Sequence, residues 1–218
     1  MVPTWSRIKW HTVPRGSFLA LAGTIAGFAL AGLLPVAAAQ AAGCPESTLS
    51  QPFAEIEKNE KLTEIHYYSL VAGGAFEPGE AAWTLSGGAK VASGGGISVL
   101  TGKEVKNSLQ LPKGAVAVSP LTCVEPSDRT FRFLDRAEVG SATLTVSVVY
   151  EGLLGLLVSK IVSLSAATGK ELAASPILHT GAHTAAKLSG GFTKMSLRFE
   201  STGGTARIDD VYLDPRMR

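Results

Sequence analysis

The chain is 218 residues long, 45% of it hydrophobic, with 20 Lys+Arg against 18 Asp+Glu. That length suits one domain with a sizeable core. The near-balanced charge gives no electrostatic reason for nucleic acid or an anionic membrane surface to be a partner.

Residues 1–43 read as a secretory signal peptide. Arg7, Lys9 and Arg15 form a basic stretch without an acidic residue, Phe18 to Leu34 is apolar or small throughout, and Pro35 ends the run. Ala37-Ala38-Ala39 or Ala39-Gln40-Ala41 then offers a cleavage site. Two alternatives stay open. The apolar run approaches the ~20 residues that span a bilayer, so it fits an uncleaved anchor as well. Ala41-Ala42-Gly43-Cys44 resembles a lipoprotein signal that would lipidate Cys44, although Ala41 stands where such signals usually carry Leu. Cleavage leaves 17 basic against 18 acidic residues, so the net positive charge belongs to the leader. The mature protein is expected to be secreted, free of the membrane, with a connector over 44–66 and one domain over 67–218.

Cys44 and Cys123 are the only cysteines. In an exported chain an even count favours a disulfide, which would pin the N-terminal arm to the body of the protein. A reactive thiol has no basic cluster beside it in the sequence to lower its pKa.

From Cys44 to Phe53 the chain is punctuated by Pro and Ser and is expected to be irregular. Ala54 to His66 turns to Glu and Lys, with Phe53, Ile56, Leu62 and Ile65 in a loose helical spacing. This predicts a solvated connector holding at most a short helix. From Tyr67 the pattern becomes that of strands. Tyr67–Val71, Trp83–Leu85, Ala89–Ser93, Ile97–Thr101, Ser108–Leu111 and Ala115–Ser119 are short runs separated by Gly and Pro, with Ser93-Gly94-Gly95-Gly96 as a hairpin turn. Longer strands follow. Thr130–Asp135 alternates, and Ala142–Tyr150 alternates with Leu144, Val146 and Val148 facing inward and Thr143, Thr145 and Ser147 facing solvent. Leu153 to Leu164 is apolar enough to pass for a helix, but its glycines and β-branched residues favour strands. Ser175–His179 and Ala185–Leu188 flank a loop, and Phe192–Glu200 and Ala206–Pro215 close the series. The pattern predicts an all-β, antiparallel two-sheet sandwich.

The most informative stretch is Gly73-Gly74-Ala75-Phe76-Glu77-Pro78-Gly79-Glu80-Ala81-Ala82-Trp83-Thr84-Leu85-Ser86-Gly87-Gly88. Pro78-Gly79 forces a turn there, since Pro fixes φ and Gly supplies φ > 0. Together with Arg207-Ile208-Asp209-Asp210-Val211-Tyr212-Leu213-Asp214-Pro215 at the other end, it resembles the two ends of carbohydrate-binding-module-like jelly rolls. These are galactose-binding-like β-sandwiches of the CBM4/9 sort. The layout is also similar to a group of uncharacterised exported actinobacterial proteins. The resemblance implies that the opening corner and the final strand lie side by side. It also implies a structural Ca²⁺ held by Glu77 and Asp209, with Asp210 as a third carboxylate and backbone carbonyls of the Gly73–Phe76 segment completing the shell. Otherwise Glu77 caps a turn while Asp209 and Asp210 bond local amides.

Sugar recognition usually needs exposed aromatic faces beside polar groups. The candidates by type are Tyr67, Tyr68, Trp83 and Tyr212, although the place of Trp83 at the opening of a strand also suits the core. His179 and His183 are four apart, as zinc ligands on a helix would be, but Gly181 between them argues for a loop. No G-x-S-x-G elbow is present, and the spacing of Glu125, Asp128, Asp135 and Glu138 does not support a glycosidase pair. The expected function is a non-catalytic module binding cell-wall or extracellular carbohydrate. The alternative is a structural or adhesion protein of the cell surface that meets other proteins through a sheet face.

Overall fold

The computed structural model describes residues 44–62, 66–80, 82–152 and 155–215. The signal peptide expected over 1–43 lies outside the described residues, and so do the questions of cleavage and anchoring.

The alternating runs build two sheets around one apolar core. The first follows the order β1 (Leu49–Ser50), β2 (Tyr68–Leu70), β15 (Ala206–Pro215), β9 (Asp128–Ala137), β12 (Glu171–Ala174) and β5 (Ile97–Ser98). β6 (Asn107–Leu111) also pairs with β15, β4 (Lys90–Ser93) with β6, and β13 (Leu178–His179) with β9. The second sheet follows β11 (Gly155–Ser165), β10 (Thr143–Gly152), β14 (Thr193–Gly203), β7 (Val116–Val118) and β3 (Thr84–Ser86), with β8 (Thr122–Val124) also on β14. Every pairing of these strands is antiparallel except the short parallel one between β12 and β5. The all-β sandwich is therefore as expected.

Period-two alternation fills the core. Phe131 and Phe133 of β9, Leu144, Val146, Val148 and Tyr150 of β10, and Met195, Leu197 and Phe199 of β14 point inward together. Phe133 meets Phe199 edge-on with ring centroids 5.0 Å apart. On the opposite face of β10, Thr143 and Thr145 are half-buried, but Ser147 is buried rather than solvated. It stands between Arg198 and Ile161 on the neighbouring strands. Residues 155–164, the described part of the apolar run that ends at Leu164, belong to one long strand paired with β10 rather than to a helix.

Three expectations need correction. The segment before Tyr67 is not a solvated connector. β1 pairs with β2, Phe53 is fully buried, and α1 (Ala54–Asn59) turns Glu57 inward until it too is buried. Phe53, Tyr68, Leu134 and Leu172 make a second small core on the outer face of the first sheet. The charge of this segment is spent on buried partners, so it could not be told from surface charge by composition.

Ala182–Leu188, expected as loop and strand, is a helix (α2). Gly181, at φ 84°, turns the chain into it, and Ala182 and Ala186, four apart, bury one side. Finally, Ser93–Gly96 is no hairpin turn, because β4 pairs with β6 whereas β5 pairs with β12. A Cβ on Gly96 would lie 2.6 Å from the Lys170 carbonyl, so glycine is needed for close passage.

The opening corner and the closing strand do lie side by side. β15 carries an irregularity between Asp209 and Tyr212, where its pairing with β9 skips. Val211, freed from that ladder, donates its N–H to the Gly74 carbonyl at 3.0 Å and accepts the Val71 N–H at 2.9 Å. The fit is close, since a Cβ on Gly74 would lie 2.8 Å from the carbonyl oxygens of both Val211 and Val71. Gly74→Ala is therefore expected to lower stability by about 1–3 kcal/mol, the usual range for forcing atoms into a packed site. Urea denaturation checks this, and an unchanged midpoint would show that the junction carries no stability.

Candidate functional site

A groove of about 770 Å³ lies at one margin of the sandwich. One wall is the arm, from Cys44 to Ser47 with Leu49. The other wall comes from Leu121–Cys123, and Ser69, Leu70 and Leu213 contribute from the first sheet. The disulfide expected between Cys44 and Cys123 is formed, with Cα atoms 5.4 Å apart, and it ties the arm to β8. A cysteine so engaged has no thiol to lipidate.

The chemistry of the groove is mixed. Leu49, Leu70, Leu121 and Leu213 give it apolar surface, and Ser47, Ser69, Thr122 and Ser127 supply hydroxyls. Glu46, Glu125 and Asp128 supply carboxylates. The Cys44 N–H donates to Glu125 at 3.2 Å, and the Glu125 N–H donates to Asp128 at 2.7 Å. Burial pushes the Asp128 carboxyl above the usual range, and the charges of Glu125 and Asp214 add to this, against the opposing donation from the Glu125 amide. Sequence reasoning singled out Glu125 and Asp128 only as a glycosidase pair and set them aside. The signal that could have found them was the expected disulfide, which brings residue 44 and its neighbours to residue 123.

The four tyrosine and tryptophan candidates do not form a stacking platform. Tyr68 is fully buried, its ring 4.9 Å from that of Phe53 and its hydroxyl donating to Glu57 at 2.6 Å. Trp83 is buried between Phe76 and Phe199, with ring centroids at 5.0 and 5.7 Å, and its indole N–H donates to the Ala72 carbonyl at 3.1 Å. Tyr212 is half-buried against Phe53 and Tyr68. Burial removes the ring of Tyr68 from any ligand, which corrects the expectation for that residue, whereas Trp83 keeps 8% exposure at a second hollow lined also by Phe76, Glu77 and Asn107. Tyr67 is exposed. The outward strand positions of the second sheet carry Thr84, Ser86, Lys194 and an Arg198–Glu200 ion pair at 2.7 Å, and none of the described ones is aromatic.

The carboxylates expected to hold Ca²⁺ come near one another without forming a cage. Glu77 accepts from the Asn107 amide at 3.2 Å, and Asp209 accepts the Asp210 N–H at 2.9 Å. The carbonyls of Gly73 and Gly74 are bonded to the N–H groups of Phe76 and Val211. Among the described residues, no three His, Cys, Asp or Glu side chains are grouped as a metal would require. The charge of the cluster suits a cation, but its donor geometry does not amount to a preformed shell. Burial pushes Asp209 up to about 8, and the negative charges of Asp210, Glu77 and Glu80 push it the same way. Phe76 and Asp210, at φ 53° and 49°, are two of three non-glycine residues with positive φ among those described, and both sit at this junction.

The histidines are dispersed. His179 lies on β13 and His183 on α2, both exposed. His66 instead sits in a buried polar knot, with Nδ1 3.5 Å from Glu57 and 3.3 Å from Asp214. Asp135 and Glu138 serve the fold: the first accepts the Ala167 N–H, and the second accepts from Arg207 and Gln110.

No protein-family model matches the chain, and neither does any curated protein. Among solved structures it is similar to the family 61 carbohydrate-binding module TmCBM61 in complex with β-1,4-galactotriose, at 21% identity over 64% of this chain and 90% of that one, with a TM-score of 0.34. It is also similar to the CBM22-1 xylan-binding domain of Paenibacillus barcinonensis Xyn10C, at 15% identity over 63% and 88% of the two chains, with a TM-score of 0.36. A third similar structure is the family 11 module of Clostridium thermocellum in complex with a β-1,3-1,4-mixed-linked tetrasaccharide, at 11% identity over 61% and 86%, with a TM-score of 0.35. At such identities and scores the likeness concerns the two-sheet layout alone. The narrower resemblance to the CBM4/9 sort, and to an actinobacterial group, gains nothing from it.

The raised Asp209 carboxyl makes a pH prediction. The unfolded chain releases this proton near pH 3.9, whereas the folded chain holds it to about pH 8. Its contribution to stability is therefore complete below pH 4, declines as pH rises through that window, and is lost above pH 8. Asp209→Asn, which keeps the acceptor oxygen without the charge, is expected to flatten the fall of melting temperature between about pH 5 and pH 9. Parallel curves for the two proteins would show that Asp209 is already ionised in the fold.

Proposed function

We propose that the protein is a non-catalytic carbohydrate-binding module of the extracellular space, taking its ligand in the groove beside the Cys44–Cys123 bridge. The observation that carries this reading is the lining of that groove, in which four hydroxyls and three carboxylates stand among four leucines. Sugars present alternating hydroxyl edges and apolar C–H faces, and a cleft of several hundred Å³ with a few placed polar groups suits them. Carboxylates accept hydrogen bonds from paired hydroxyls, and leucine side chains cover the C–H face where an aromatic ring is lacking. The disulfide suits an oxidising compartment and supports the extracellular placement.

A glycan array of plant, microbial and animal oligosaccharides tests this, comparing the wild type with Leu121→Arg. Leu121 is 47% exposed on the groove wall, so arginine there obstructs the groove without emptying the core. Retention of at least one glycan class is expected, falling about tenfold or more in the variant at unchanged melting temperature. Equal retention by the variant would place the ligand elsewhere, and no retention on any glycan would end the reading.

Calcium at Glu77, Asp209 and Asp210 is a separate part of this proposal. Its support is the concentration of negative charge around Asp209, which a divalent ion would offset. Ca²⁺ binding the folded chain alone is expected to raise the melting temperature with ion concentration and to lose that effect in Asp209→Asn. A melting temperature indifferent to Ca²⁺ and to EDTA would remove the ion from the account.

A further inference from the structure

Glu46, Glu125 and Asp128 face a groove that has no lysine or arginine among the described residues of its lining. None of the three belongs to an ion pair among the described residues. Two of them are bound into the chain on one side only: Glu125 accepts from the Cys44 amide and Asp128 from the Glu125 amide. The remaining acceptor capacity of each carboxylate is open to a donor. The negative field in the groove is shared among neighbours, since Asp128 feels the charges of both Glu125 and Asp214. A ligand carrying a carboxylate, sulfate or phosphate would meet like charge there with no cation to offset it.

We propose that the groove selects a saccharide bearing a protonated amine, a glucosamine-type residue without its N-acetyl group, over neutral or acidic sugars. The inference rests on the carbohydrate-binding reading above and names its ligand class. An ammonium group on the sugar offers three donors and one positive charge to carboxylates that have no counter-ion among the described residues. The leucines meanwhile take the apolar face of the ring. A charge-assisted hydrogen bond is roughly twice as strong as a neutral one, so discrimination resides in the amine. Acetylation removes the charge, adds bulk and leaves the carboxylates uncompensated. A basic peptide offers the same charge, but it lacks the hydroxyls that Ser47, Ser69, Thr122 and Ser127 are placed to meet.

The test is isothermal titration of the protein, produced from its full sequence with the disulfide intact, with a β-1,4-linked glucosamine tetramer and with its fully N-acetylated counterpart. Both are measured near neutral pH at low salt. The free amine tetramer is expected to bind at least about tenfold more tightly, with a preference that shrinks in added salt. In Glu46→Gln/Glu125→Gln, which keeps one acceptor oxygen in each side chain and removes two charges, the ratio is expected to fall towards one.

Equal affinities, or tighter binding of the N-acetylated tetramer, would overturn the proposal and leave the carbohydrate reading standing. The same holds if neither tetramer binds while another glycan does. A tetralysine peptide binding as tightly as the glucosamine tetramer would show that the groove reads charge alone, and this too would overturn it. Loss of every glycan on the array would remove the carbohydrate reading itself.

Discussion

The sandwich depends on one irregularity in its last strand. A regular β15 would give Val211 to its ladder with β9. Instead the pairing skips between Asp209 and Tyr212, and both backbone groups of Val211 turn to the corner formed by residues 71–74. Backbone polar groups that leave a ladder must find partners or carry the cost of desolvation. Here each end of the chain supplies what the other lacks. The bond closes the sandwich at this margin, seats Phe76 against Trp83 in the core and fixes where the acidic residues on either side of it stand. The two left-handed residues, Phe76 and Asp210, are the local expense of that arrangement.

The arm does for the outer face of the first sheet what the second sheet does for its inner face. Arg132 shows how closely it is engaged. Its guanidinium is buried at 1% exposure, donates from both terminal nitrogens to Glu60 and from Nε to the Ser175 carbonyl, and lies 5.0 Å from the Phe53 ring centroid. A buried charge is tolerated only when its donors are met, and the partners come from the arm, from β9's neighbouring loop and from an aromatic face. In a neighbouring knot the His66 backbone N–H and the Tyr68 hydroxyl donate to Glu57, and the Thr130 hydroxyl donates to Asp214. With this part of the outer face covered by the chain's own residues, the room for a ligand moves to the margin where the disulfide holds arm and β8 together.

That displacement bears on how a sugar would be recognised. Phe53, Tyr68, Phe76 and Trp83 are taken up by packing, because a small domain with few rings needs them inside. What faces the groove is leucine, hydroxyl and carboxylate. Recognition there would rest on hydrogen bonds and charge rather than on ring stacking, and among the described residues of the lining every charged side chain is acidic.

The sequence by itself determined the class of fold. Alternation in 142–150 and 192–200, glycine and proline between short apolar runs, and the Gly73–Gly88 and Arg207–Pro215 ends are local properties. Strand periodicity and turn chemistry act over a few residues, so they can be read there. The pairing of Cys44 with Cys123 was legible because only one intramolecular pairing exists. Tertiary structure alone decided the burial of Glu57, the helix over Ala182–Leu188, the loss of Tyr68 and Trp83 to the core, and the gathering of Glu46, Glu125 and Asp128 around one groove. Each of these depends on residues distant in the chain. Whether a charge or a ring faces water is set by what packs against it, and no local pattern records that.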